Sequence, residues 1–313
     1  MTGTDGRPPT HAVRNVTMSP EEKRVDRPNI PNTEELAAHA REQLAREQRD
    51  TFRPCKICGE QSHRFDMLDF EKFVSHTPYT RPMSLVPVVY RRCVGCGFIF
   101  TSFFDSFTPA QWSNYVYNEG YNEVDGEFLQ IRPAVDAQAV QSYFGDLRTT
   151  AIGLDFGGGN GRTAELLRRA GWAFDCFDPF GATELKAERV GAYNFCTAFE
   201  VLEHLPNPVV ALGQVLTHAT SGPLIFMIST ALTDAQVTEA TRLNWFYAGP
   251  RNGHISLFSR RSLQLLAAQH RLDYSNLGRG THIMSRGKDV SSMTSRLRFG
   301  RIRMAVRRRL LRR

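Results

Sequence analysis

Four of the chain's six cysteines fall in two matching pairs, Cys55-Lys-Ile-Cys58-Gly59 and Cys93-Val-Gly-Cys96-Gly97. Four thiolates at this spacing are the ligand set of a structural, tetrahedral Zn²⁺ ion. The glycine after each second cysteine lets the turn tighten until backbone N–H groups face the sulfurs. Cys55, Cys58, Cys93 and Cys96 are therefore expected to hold zinc rather than to form disulfides. Such a site is closed to water, holds a fold together and takes no part in catalysis. The 34 residues between the pairs predict a small zinc-ribbon-like domain. Cys176 and Cys196 fall inside expected strands and read as small core residues.

A second chemical signal is LDFGGGNGR, Leu154–Arg162. Its pattern is D-x-G-x-G-x-G, through Asp155, Gly157, Gly159 and Gly161. A dinucleotide fingerprint would need glycine where Arg162 stands. The absence of G-K-[ST] excludes a triphosphate loop of the Walker type. Asp155 would repel a pyrophosphate and suits a ligand carrying an ammonium group. Downstream, Asp178 in CFDPF ends the next expected strand, where a carboxylate accepts hydrogen bonds from a ribose diol. FEVLEHLPNP, Phe199–Pro208, follows the strand after that.

Alternating elements position these residues. Helices are expected over 134–144, 163–170, 208–218 and 261–269, and strands over 150–155, 173–177, 194–199, 223–229, 272–277 and 281–285. This alternation predicts an α/β fold, a Rossmann-like, doubly wound, mostly parallel sheet, with the last two strands as an antiparallel hairpin at its edge. Residues 1–32 read as disordered, with Met18 a second candidate start. Thr33–Asp50 reads as a polar helix lying loosely on the surface. The expected organisation is 1–50 for this terminus and helix, 51–100 for the zinc-binding domain, 101–133 for an aromatic linker or substrate wall, 134–287 for the catalytic domain and 288–313 for a basic tail.

On LDFGGGNG, FDPF, AFEVLEHLPNP and GHISLFSRRSL (Gly253–Leu263), the chain resembles the class I S-adenosylmethionine-dependent methyltransferases over residues 130–285. With the cysteine pairs and NYVYNEGYNEVDGEF, it looks like the bacterial subset with an N-terminal zinc-binding domain. That subset includes sugar C-methyltransferases and polysaccharide-modifying enzymes; the long C-terminal domain of the former has no counterpart in this sequence. The resemblance implies that Asp155, Gly157, Gly159 and Gly161 bind the methionyl part of S-adenosylmethionine. It implies that Asp178 takes the ribose, that Ala198 and Phe199 flank the adenine, and that Glu200 or its loop closes the pocket. The acceptor, a saccharide or other small molecule, must lose a proton. His204 is the expected general base, with Glu203 orienting it or binding acceptor hydroxyls. His254 is a second candidate base, and Tyr117 or Tyr121 could offer a phenol. The bland alternative is that Glu203 caps the next helix and His204 only fills the wall.

Net charge is +7, yet Arg296–Arg313 alone carries nine arginines and no acid, so the remainder stands at −2. Leu297, Phe299, Ile302, Met304, Val306, Leu310 and Leu311 lie among those arginines, the composition of an amphipathic helix on an anionic membrane surface. Without a leader or an apolar run of membrane-spanning length, the expected location is cytoplasmic, peripheral at the inner membrane face. The first rival is a zinc-domain RNA methyltransferase, for which the tail would contact phosphates. Against it, the loop after the fourth strand lacks the N/D-P-P-aromatic box that many base-amino methyltransferases use, and the slightly acidic body offers no basic groove. A non-catalytic cofactor- or partner-binding module is a second rival, which the intact glycine pattern argues against. An NAD-dependent sugar enzyme is a third, weakened by the missing third glycine.

Overall fold

The computed structural model describes residues 33–75, 83–126, 131–181, 185, 187–278, 280–288 and 290. The terminus before Thr33 and the arginine-rich tail lie outside the described residues. The first helix, α1 (Thr33–Arg49), is polar in composition, yet it is not loosely held. Leu36, Ala40, Gln43 and Glu47 form one buried stripe at helical spacing. Glu47 pairs with Arg91, which is itself fully buried and also donates to the carbonyls of Asp50, Thr51 and Ser62. A buried guanidinium needs this full set of acceptors. The composition misleads because two of the stripe's four residues are polar, and Glu47 is buried by pairing with Arg91 rather than by apolar character.

An antiparallel sheet follows, made of β1 (Arg53–Pro54), β2 (Gln61–Asp69), β3 (Pro87–Cys93) and β4 (Ile99–Phe100). Its fifth strand, β9 (Ser256–Leu257), comes from far down the chain and pairs with β4. The cysteine-bearing sheet is thus stitched into the second half of the molecule. Ile57, Phe98 and Phe100 share one core cluster with Leu154, Cys196, Phe226 and Leu263 of the main sheet and its helices. The aromatic stretch after β4 folds as two short helices, α2 (Pro109–Gln111), which runs into a π-helical turn at Trp112–Val116, and α3 (Tyr121–Val124). Phe103, Phe104, Trp112 and Tyr115 are buried there against Phe70, Trp245 and Leu257.

The main sheet has the order β10-β11-β8-β7-β5-β6. β5 (Ile152–Phe156), β6 (Ala173–Phe177), β7 (Phe195–Phe199) and β8 (Leu224–Ser229) are parallel. β10 (Asp273–Gly278) and β11 (Thr281–Arg286) form the antiparallel hairpin at the edge. Helices α4 (Ile131–Phe144) and α5 (Arg162–Arg169) bury Val140, Phe144 and Leu167 on one face with Phe195 and Met227. Helices α6 (Pro208–His218) and α7 (Arg260–Gln269) bury Leu212, Val215, Leu263 and Leu266 on the other with Cys196 and Ile228. Neighbours in one strand alternate between the two faces, as a doubly covered sheet requires. The chain leaves β5 for β6 on one side and returns to β7 on the other. This is the topological switch point, where α/β sheets bind ligands at the strands' carboxyl ends.

Candidate active site

The turn after β5 needs its glycines. Gly157, Gly159 and Gly161 all have positive φ, the left-handed region that favours glycine. A Cβ on Gly157 would lie 2.6 Å from Val201. The middle glycine of the run, Gly158, is packed still more tightly. A Cβ there would fall 2.4 Å from Asp155 Oδ2 and 2.7 Å from Cys176 Sγ. Gly159 N–H donates to Asp178 Oδ2 at 2.8 Å, and Phe180 N–H donates to Asp178 Oδ1 at 2.8 Å. The Asp178 carboxylate is thereby fixed at the mouth of the loop.

A cavity of about 690 Å³ opens from this turn. Gly157, Gly159, Asp178, Phe180 and Phe199 line one end, and Trp112, Tyr117, Tyr121 and His204 line the other. Tyr117 joins the two ends. Its ring lies 5.3 Å from Phe180, 5.9 Å from Trp112 and 6.2 Å from His204 between centroids. The aromatic segment is therefore both packed core and cavity lining. Ala198 is fully buried in the sheet beneath, and Phe199 alone of that pair faces the cavity. Gly161 also lies off the lining, as the residue that starts α5.

Asp155 sits behind the loop, in a side pocket of about 40 Å³ with Asp136, Gly158 and Arg132. Thr197 Oγ1 donates to it at 2.6 Å. Burial pushes both Asp155 and Asp136 up to about 7, with Asp155's own charge a further cause at Asp136. A cation near them would favour their ionised forms. Arg132 touches both cavities and pairs with Asp125. No motif marks Arg132, and only its place at the start of α4 could have signalled it.

Beyond His204 lies a buried polar group drawn from distant segments. Glu200 has φ 52°, a left-handed conformation uncommon away from glycine. Its N–H donates to Ser229 Oγ at 2.9 Å, and that hydroxyl donates to Glu200 Oε1 at 2.9 Å. Tyr247 OH lies 2.7 Å from Glu200 Oε2 and 2.5 Å from Glu203 Oε1. Burial and the Glu200 charge hold the Glu203 carboxyl well above the usual carboxylate range. The His204 and His254 rings stand edge to face at 4.9 Å. Burial lowers both imidazoles, His204 to about 4. His254 Nδ1 donates to the Tyr247 carbonyl at 2.8 Å. Glu203 is fully buried among these groups and accepts Ile255 N–H through its own carbonyl, so it does not cap the next helix; Asn207 does. Tyr247 carries no sequence signal, since WFY reads as core.

The cysteine cluster stands apart. Cys55 Sγ lies 3.6 Å from Cys96 Sγ, and Cys58 Sγ lies 3.4 Å from Cys93 Sγ. All four sulfurs fall within 4.8 Å of one another. Sulfurs at about 2.3 Å from a tetrahedral zinc are about 3.8 Å apart, so the donor set fits that ion. Ile57 N–H and Cys96 N–H point at Cys55 Sγ and Cys93 Sγ, both at 3.4 Å.

Residues 128–275 match the family model described as a methyltransferase domain. No curated protein matches the sequence. Among solved structures, the chain is similar to a SAM-dependent methyltransferase from Thermotoga maritima. That match has 16% identity, covers 53% of this chain and 95% of that one, and has a TM-score of 0.36. It is also similar to the magnesium protoporphyrin IX methyltransferase of Synechocystis PCC 6803 with bound SAH, at 15% identity, 56% and 89% coverage and a TM-score of 0.36. A third is the plantazolicin methyltransferase in complex with SAH, at 15% identity, 50% and 74% coverage and a TM-score of 0.37. Residues 128–275 thus carry a methyltransferase domain of the class I fold, with a glycine turn at the switch point of its sheet.

Proposed function

We propose that the protein transfers a methyl group from S-adenosylmethionine to a small-molecule acceptor, a saccharide. The observation that carries this reading is one continuous cavity with two unlike ends. At the glycine end, Asp178 has its orientation fixed by two backbone N–H groups and keeps lone pairs for a ribose diol. Asp155 and Asp136 supply negative charge close to where a methionyl ammonium would sit. Phe199 and Phe180 offer ring faces to a purine. The cofactor brings a reactive methyl sulfonium, and the protein's part is alignment and exclusion of water.

At the other end, Trp112, Tyr117 and Tyr121 present ring faces suited to the apolar face of a sugar ring. His204, with Glu203 and His254 behind it, is the polar group placed to activate an acceptor oxygen or carbon. Tyr117 lies between the two ends and positions the acceptor against the methyl group. The four cysteines would hold a structural zinc ion, and that ion's contribution would be to the fold alone. The purified protein, given methyl-labelled S-adenosylmethionine with small-molecule and RNA fractions of a bacterial extract, is expected to label the small molecules. Label moving only into RNA would overturn the acceptor assignment.

A further inference from the structure

We infer that Glu203, His204 and His254 bind a divalent transition-metal ion beside the acceptor end of the cavity. One donor atom from each lies within 4.8 Å of the other two. Two of the three carry atoms left without a hydrogen bond although buried: Glu203 Oε2 and His204 Nδ1. Unpartnered buried polar atoms are costly, and two of them on adjacent residues, beside a third donor, mark a place for a ligand.

The third donor is fixed by its partner. A carbonyl can only accept, so His254 Nδ1 must carry the proton that it gives to Tyr247 O. The lone pair then sits on His254 Nε2. Metal-binding histidines are oriented in this way, by a hydrogen bond from the other ring nitrogen to a carbonyl. The segment carrying His254 is held as well, because Tyr90 OH donates to the His254 carbonyl at 2.8 Å and Ile255 N–H donates to the Glu203 carbonyl at 2.8 Å. Glu203 is anchored through its other oxygen by Tyr247 OH.

Charge leads to the same conclusion. Glu200 and Glu203 both lie within hydrogen-bond distance of the Tyr247 phenol, which has one proton to give. Ser229 Oγ–H also serves Glu200, so the carboxylate left short is that of Glu203, whose buried Oε2 accepts no hydrogen bond and calls for a positive charge beside it. A divalent ion supplies that charge. Two imidazoles and one carboxylate suit Zn²⁺, Co²⁺ or Fe²⁺ better than Mg²⁺ or Ca²⁺, which prefer all-oxygen sites. Three protein ligands leave coordination positions for an acceptor oxygen. The site rests on these side chains alone; only its role in acceptor binding rests on the methyl-transfer reading.

The test uses the full-length protein with zinc already in its cysteines, titrated with Co²⁺. Nitrogen and oxygen ligation gives visible absorption bands without the near-ultraviolet thiolate band of a cysteine site. The expected result is one equivalent of such Co²⁺, lost in His254→Gln and in Glu203→Gln, while S-adenosylhomocysteine still binds both variants. No visible bands in the wild-type protein would overturn the inference, and so would bands that survive in both variants. Because the wild-type titration stands alone, a variant that fails to fold does not remove the test. Failure of S-adenosylhomocysteine to bind would count against the cofactor reading and leave the metal result untouched.

Discussion

The two ends of the cavity are built in opposite ways. The glycine end comes mostly from two short strand–turn segments, Leu154–Arg162 and Phe177–Gly181, side by side in one parallel pair, with Phe199 added from the end of β7. The acceptor end draws on Trp112–Tyr121, Arg132, Glu200–His204 and Tyr247–His254, and leans on Tyr90 of the cysteine-bearing sheet. Backbone geometry dominates the first and side-chain partnership the second. A common cofactor can be held by a local motif, whereas a particular acceptor is recognised by residues that only the tertiary fold brings together.

The comparison breaks most clearly at Gly158. Alanine there would place a methyl group against Asp155 and Cys176. Gly158→Ala is expected to lower stability by about 2–3 kcal/mol through overpacking. It should also weaken S-adenosylhomocysteine binding at least about tenfold, read by thermal melting and calorimetry. If the turn is not the cofactor site, stability will fall while affinity holds.

The acceptor end should respond without the cofactor end. Tyr247→Phe removes the phenol shared by Glu200 and Glu203. Hydrogen bonds to charged groups contribute about 1.5–3 kcal/mol, so turnover is expected to fall about 10- to 100-fold with S-adenosylhomocysteine affinity unchanged. A parallel loss of cofactor affinity would show that the two ends are not separable. Trp112→Leu removes a ring face from the same end. A stacking contribution of about 0.5–1.5 kcal/mol predicts acceptor KM up about two- to tenfold, with kcat nearly constant.

A smaller effect sharpens the picture of the side pocket. Asp155 and Asp136 are raised to about 7 by burial, so near neutrality each is only partly ionised. A bound ammonium group favours the carboxylate, and cofactor binding then releases protons. S-adenosylhomocysteine affinity should rise several-fold from pH 6 to pH 8, and Asp155→Asn should flatten the dependence. Stability runs the other way. A raised carboxyl stabilises the fold fully below its unfolded value near 3.8 and loses that contribution as pH climbs through 7. Melting temperature without cofactor should therefore decline over the interval in which binding strengthens.

The same contrast governs how much could be read from the sequence. The alternating strands and helices of the main sheet carry periodic apolar faces, and their pattern specifies the doubly wound fold. D-x-G-x-G-x-G marks the turn because left-handed backbone demands glycine at those positions. Gly158 escapes that spacing, since its requirement is steric crowding by Asp155 and Cys176, which only the folded turn creates. Glu203, His204 and His254 could be singled out as titratable residues near the motifs. Tyr247, which ties Glu200 to Glu203, could not, because its role depends on a loop returning across more than forty residues. The buried stripe of α1 was hidden for a related reason: Glu47 reads as a surface residue until Arg91 is known to face it.

We propose above all that the glycine turn and Asp178 hold S-adenosylmethionine. Calorimetric titration with S-adenosylhomocysteine, and separately with NAD⁺, of the wild-type protein and of Asp178→Ala tests it directly. Saturable binding of S-adenosylhomocysteine at one site, weakened at least about tenfold in the variant by loss of charge-assisted hydrogen bonds, is the predicted result. Binding of NAD⁺ in its place, or affinity for S-adenosylhomocysteine that is equal in the two proteins, would contradict it.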